Sequence, residues 1–333
     1  MTAHLSKKDN YLRMLNGEIP EYVPTMMAFD PEAMCIPTQL SIFPPPGTVE
    51  FTDMFGIPMV VEPNSGPIPK PGHFILEDIT KWRDIVKRPK VLDEIDWELQ
   101  STRDLADRDP SWIKVGTVSV GNGYFMLLTY FMGFDNALIA IMEEPEEVKA
   151  LLNFLLELNI ELAKKYIYYY KPDVFHMGDD IAHERAPFVS DAVFLDIFEP
   201  MWRQTVAVYK EAGLPAEHHN CGAFGAFVPY IVDMGFNAWN PAQPTFNDLP
   251  AIKARFGRKL AICGGFNSNG PASWPETPEE AVRAEVRQVL DELAPGGGFA
   301  FGGHILGAMD NPEVIKRNGW INDEFEKNKF NYY

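Results

Sequence analysis

Along most of the chain, short apolar runs rich in β-branched and aromatic residues alternate with longer stretches whose apolar positions recur at helical spacing. Residues 113–120 form such a run and pass into Gly121-Asn122-Gly123, and 173–177 passes into Gly178-Asp179-Asp180. Further on, 237–241 leads into Ala242-Gln243-Pro244, 260–263 into Gly264-Gly265, and 299–301 into Gly302-Gly303-His304. Helical patterns cover 79–86, 93–107, 135–142, 145–170, 191–212 and 249–256, and Thr277-Pro278-Glu279-Glu280 reads as a capping box opening a helix that runs to Leu293. Nearer the start, a short helix ends at Gly17-Glu18-Ile19-Pro20 and 23–29 reads as a first strand. Repeated strand, loop and helix imply a parallel sheet, and the length suits one (β/α)8 TIM barrel over 1–333 better than an open doubly wound sheet. A Pro-rich N-terminal extension (44–46, 63–71) interrupts this order, with a short apolar run at 58–61, and is read as an irregular lid or substrate wall. No strand leads into GxGxxG or a P-loop, so a nucleotide-binding reading lacks its main signal.

Composition narrows the partners. A chain of 333 residues with 46% hydrophobic positions can bury a large core. Its net charge of −18 argues against nucleic acid and anionic membrane, yet permits docking to a partner that carries a basic patch. The first residues lack an apolar signal region, which predicts a cytoplasmic protein. Residues 115–134 are uncharged and long enough to span a bilayer, but their glycines make them strand, loop and helix. Cys35, Cys221 and Cys263 are few and widely spaced, as expected of free or metal-bound thiols. Oligomeric state stays open, a homodimer included.

The candidate chemistry centres on Glu217-His218-His219-Asn220-Cys221-Gly222. Strand alternation sends Glu217, His219 and Cys221 to one side and His218 to the other. An imidazole and a thiol two residues apart can share one metal ion, and zinc accepts that mixed donor set. A half-buried strand end with a satisfied His and a small core Cys is the plainer alternative. At neighbouring strand ends stand Asp179, Asp180, Gln243, Cys263 and His304, where barrel enzymes keep their working residues. A third ligand is required for an open catalytic site: His304 or Cys263, with the acids Glu184 and Glu217 as further options.

These residues resemble the uroporphyrinogen decarboxylase superfamily, and within it the corrinoid-linked zinc methyltransferases. The matching pieces, in order, are Gly17-Glu18-Ile19-Pro20-Glu21-Tyr22-Val23-Pro24, Asp53-Met54-Phe55-Gly56, Gly133-Phe134-Asp135-Asn136-Ala137-Leu138 and Glu144-Pro145-Glu146. Gly178-Asp179-Asp180, His219-Asn220-Cys221-Gly222, Asn240-Pro241-Ala242-Gln243-Pro244, Gly264-Gly265 and Phe301-Gly302-Gly303-His304 follow. The resemblance implies a barrel with its site at the C-terminal ends of the strands. The methyltransferase branch holds zinc with His-x-Cys and a later Cys; His219 and Cys221 match the pair, and His304 stands at the later position. The first 80 residues hold a single arginine, Arg13, too few cationic clamps for a tetrapyrrole bearing many carboxylates.

On that resemblance the expected activity is methyl transfer between a small methylated substrate, an aryl methyl ether for preference, and the cobalt of a corrinoid (cobalamin) carried by a separate protein. Zinc would sit on His219 and Cys221 with His304 or Cys263. Asp180 or Glu184 would orient substrate or protonate the leaving group. Asp179, Asn240, Gln243 and Tyr124 would contact substrate. A cofactor-free decarboxylase using Asp53 is the alternative, and a non-catalytic corrinoid- or tetrapyrrole-binding barrel a third reading.

Overall fold

A computed structural model describes residues 4–26, 36–41, 44–45, 47–62, 66–117, 123–308 and 310–333. Nine strands are formed among them: β1 (Glu50–Thr52), β2 (Pro58–Glu62), β3 (Gly66–Pro69), β4 (Val115–Thr117), β5 (Val174–Gly178), β6 (Ala216–His219), β7 (Ala238–Ala242), β8 (Ala261–Gly265) and β9 (Phe299–Gly302). Strands β4 to β9 lie side by side in sequence order, all parallel, with a helical crossover between neighbours wherever the connection is long. Thr25 adds a parallel bridge to Phe301 on the far edge of β9. The result is an α/β fold in the arc of a TIM barrel.

Strand alternation explains the interior. On β5 to β9 the outward residues Phe175, Met177, Trp239, Ile262, Phe299 and Phe301 pack under the helices in the main core. The inward residues at the N-terminal ends, Val115, Val174, Ala238, Ala261 and Ala300, are small and face Tyr11, Met14 and Leu15. Those three come from the helix Lys7–Leu15, capped by the Ser6 side chain, which plugs the bottom of the arc. Above this apolar floor the inward positions turn polar: His176, Glu217 and Asn240 are all buried.

Several elements differ from the sequence reading. Within the stretch expected to be irregular, the described residues 50–52, 58–62 and 66–69 form β1, β2 and β3, an antiparallel sheet in register Glu50↔Val60 and Val60↔Ile68. Its prolines sit on short strands where a ladder donor is dispensable, which hid the strands from propensity. Of the first expected strand, the described residues 23–26 form the Thr25 bridge, and 27–29 lie outside the described residues, as do 118–122, Pro46, 63–65 and Cys35. Tyr124 opens a helix, Tyr124–Met132. The Thr277 capping box does not form: its hydroxyl donates to Pro271 O, and the helix Glu279–Leu293 starts without a side-chain cap. Two helices carry single π turns, Tyr166–Tyr170 and Phe194–Phe198. The helices Tyr124–Met132 and Phe134–Glu143 meet at 111°, and among the described residues no single helix is long and apolar enough to cross a membrane.

Candidate metal centre

The site grows from the register of β5 on β6. Gly178 lies opposite His219, so the residue two beyond each, Asp180 and Cys221, emerges from neighbouring strand ends side by side. The ladder continues past the strands through Asp179 N–H to His219 O (3.1 Å) and Asn220 N–H to Asn240 O (2.9 Å). Cys221 N–H donates to Asp180 Oδ1 at 2.7 Å, tying the two loops together. His219 Nε2 then stands 3.5 Å from Asp180 Oδ1 and 3.8 Å from Cys221 Sγ.

The ligand atoms of Asp180, His219 and Cys221 all lie within 4.8 Å of one another. In a tetrahedral site with bonds of about 2.0–2.3 Å, ligand atoms sit roughly 3.3–3.7 Å apart, and the 3.5 Å and 3.8 Å separations from His219 Nε2 are close to that range. A nitrogen, a thiol sulfur and a carboxylate oxygen are a zinc donor set, and three protein ligands leave the fourth side for substrate. The Asp180 side chain is 35% exposed and that of His219 15%, so the cluster opens outward.

Electrostatics favour a cation here. Burial pushes the Cys221 thiol up to about 12, with the Asp180 charge adding to it. Burial also lowers His219, against the opposing pull of Asp180. A neutral imidazole is the metal-binding form, and a bound divalent ion reverses the thiol's preference by holding the thiolate. His218, on the outer face as alternation requires, packs against Trp202, Phe224 and Phe236, and burial lowers it well below its ordinary value.

The remaining predicted residues take other places. His304 is exposed, its main-chain N–H donating to Ser268 Oγ, and its ring lies outside the cluster. Cys263 is fully buried 3.7 Å from the Tyr11 hydroxyl, in the layer beneath. Asp180 stands beside the pair in their stead. Glu184 is exposed and paired with Arg185. Asp179 is fully buried, accepting from Phe125 N–H (3.1 Å), Met126 N–H (3.0 Å) and Trp202 Nε1 (2.9 Å), so its carboxyl is engaged at the start of the helix Tyr124–Met132. Its carboxyl is raised to about 7 by burial, against those three donors. Tyr124 is also fully buried, its hydroxyl 2.5 Å from Thr205 Oγ1.

Gln243 Oε1 accepts Gly222 N–H at 2.7 Å, and Asn247, which the sequence did not single out, donates to Gly222 O and Gln243 O. Both hold the loop that carries Cys221. Asn240 is buried between His219 and Glu217. Asp53 sits in the β1–β2 turn, accepting from Phe55 N–H and Ile57 N–H, with burial raising it to about 6. His176 was overlooked, although its place two residues after Val174 puts it on the inner face; its Nδ1 is 3.8 Å from Glu217 Oε2.

Comparison with known proteins agrees with this frame. Among solved structures, a methyltransferase from Methanosarcina mazei superposes with a TM-score of 0.68 at 15% identity, covering 97% of this chain and 100% of that one. A search of curated proteins finds no match. The family model for uroporphyrinogen decarboxylase (URO-D) matches residues 41–316, and the chain therefore belongs to the uroporphyrinogen decarboxylase family.

Proposed function

We propose that this protein is a zinc-dependent methyltransferase that moves a methyl group between a small methylated substrate and the cobalt of a corrinoid carried by a separate protein. Family membership supports an enzyme, decarboxylase or methyltransferase. The observation that favours the second is the grouping of Asp180, His219 and Cys221 with an open side. Zinc held there acts as a Lewis acid on the heteroatom bearing the methyl group. His219 and Cys221 would supply the neutral and anionic donors and Asp180 a second negative one, while its Oδ1 keeps Cys221 in place by accepting the Cys221 backbone N–H. In the demethylating direction, for which an aryl methyl ether is the favoured substrate, the C–O bond breaks. A Co(I) corrinoid brought by the partner would supply the electron pair that accepts the methyl group, and the released oxygen would take a proton from solvent through the open side of the cluster. Gln243 and Asn247 keep the Cys221 loop from yielding as substrate enters.

Metal content measured on protein purified without added metal, wild type beside Cys221→Ser and Asp180→Asn, tests this directly. Near-stoichiometric zinc that falls in both variants supports the site, and methoxy compounds with a Co(I) corrinoid protein are then the assay. Metal-free wild type that also fails to take up added zinc overturns it. The family's own name keeps cofactor-free decarboxylation as the second reading, with Asp53, raised to about 6, as its acid. Asp53→Asn separates them: it leaves methyl transfer intact and abolishes decarboxylation.

A further inference from the structure

Below the metal centre lies a carboxylate that neither binds the ion nor meets solvent. Glu217 is 0% exposed and points into the interior from β6. No lysine or arginine among the described residues pairs with it; its neighbours are His176, whose Nδ1 lies 3.8 Å from Oε2, and the Tyr11 hydroxyl, which hydrogen-bonds it. An acid without a cationic partner is costly inside a protein, and replacement by an apolar residue would ordinarily be neutral or stabilising. What Glu217 holds is one end of an amide. Asn240, itself fully buried, donates from Nδ2 to Glu217 Oε2 at 3.2 Å, and its Oδ1 is 3.0 Å from His219 Nδ1.

The three groups leave one consistent proton arrangement. Asn240 turns its Nδ2 toward Glu217 Oε2, and an amide oxygen only accepts. Its oxygen then faces His219, and the hydrogen bond forms only if His219 carries its proton on Nδ1. That leaves the Nε2 lone pair directed at Asp180 and Cys221. We propose that Glu217, acting through Asn240, is the positioning residue that sets the tautomer and ring orientation of His219 and thereby the metal affinity of the centre. This deepens the function proposed above and rests on it for the metal, though not for the tautomer. Carboxylates that act on a ligating imidazole typically change metal affinity by about 10–100-fold.

The test pairs a spectroscopic reading without metal with an affinity. In metal-free protein, 15N-coupled NMR of the imidazoles should show His219 as a single tautomer protonated at Nδ1. Glu217→Gln is isosteric, but its amide both donates and accepts, so Asn240 is free to turn over. The variant should show mixed tautomers and about 10–100-fold weaker zinc binding in competition with a chromophoric chelator. Asn240→Leu, which cuts the link itself, should do the same and serves if Glu217→Gln fails to fold. The double variant Glu217→Gln/Asn240→Asp restores an acceptor facing both Gln NH2 and His219 Nδ1–H. It should recover both readings, which a merely structural role would not produce. Wild-type tautomer and wild-type zinc affinity in the foldable single variants would overturn the proposal. If wild type takes up no zinc, the proposed function fails on its own, and the tautomer measurement still decides this inference.

Discussion

At the scale of single residues, the chain places carboxylates where burial and hydrogen bonding pull in opposite directions. Asp53 accepts two backbone N–H groups, yet burial raises its carboxyl to about 6. The native state therefore holds a proton that the unfolded chain, titrating near 3.9, has already lost. Between roughly pH 4 and 6 the folded form binds more protons, so stability falls as pH rises through that window. Asp53→Asn keeps the Oδ1 acceptor without the charge, and urea unfolding should show it gaining up to about 3 kcal/mol over wild type at pH 7 and little at pH 4. The pair His219 and Cys221 was legible from spacing because both lie on one strand face. Asp180 was legible as a strand-end acid but not as their neighbour, since that depends on the Gly178↔His219 register, a property of two strands together. For the same reason, the Asn240 link to Glu217 was invisible, and so was the burial of Tyr124.

Among elements, β5, β7, β8 and β9 fell within a residue or two of their expected places because each apolar run stops at polar or glycine residues. The helices Val228–Met234 and Pro312–Asn328 escaped notice, the first through shortness and the second through its diluted apolar stripe. The start of the helix Tyr124–Met132 shows how tightly elements are fitted. Gly123 has an ordinary φ of −77°, but a Cβ there would fall 2.2 Å from Asp179 Cβ and 2.6 Å from Asp179 Oδ2. Three donors hold that carboxylate, so it cannot swing aside. Gly123→Ala should cost roughly 1–3 kcal/mol by overpacking, read from urea unfolding. By displacing the residue next to Asp180, it should also weaken zinc binding in the same chelator titration. Gly222 is constrained doubly, with φ of +80° and a would-be Cβ 2.6 Å from His183 O.

For the whole molecule, the two ends of the sequence share one seam. Met26 N–H donates to Phe301 O, Phe301 N–H to Pro24 O, and Val23 N–H to Lys329 O. Behind the seam Phe301 stacks on Phe325 with ring centroids 4.9 Å apart. Phe325 is 3% exposed, so Phe325→Ala should cost about 3–5 kcal/mol. It should also speed hydrogen exchange at Val23 and Met26, far from it in sequence; unchanged exchange there would show that the seam does not depend on this ring.

The seam also has a meaning in time. A ribosome delivers residues 7–26 long before their partners Phe301 and Lys329. Until then Tyr11, Met14 and Leu15 have no complete floor to cover, because Ala300 is among the residues they pack against. Residues 7–26 thus settle only after β9 and the last helix are made, a long-range closure that slows folding and leaves the apolar face of the helix Lys7–Leu15 on the nascent chain to be sheltered.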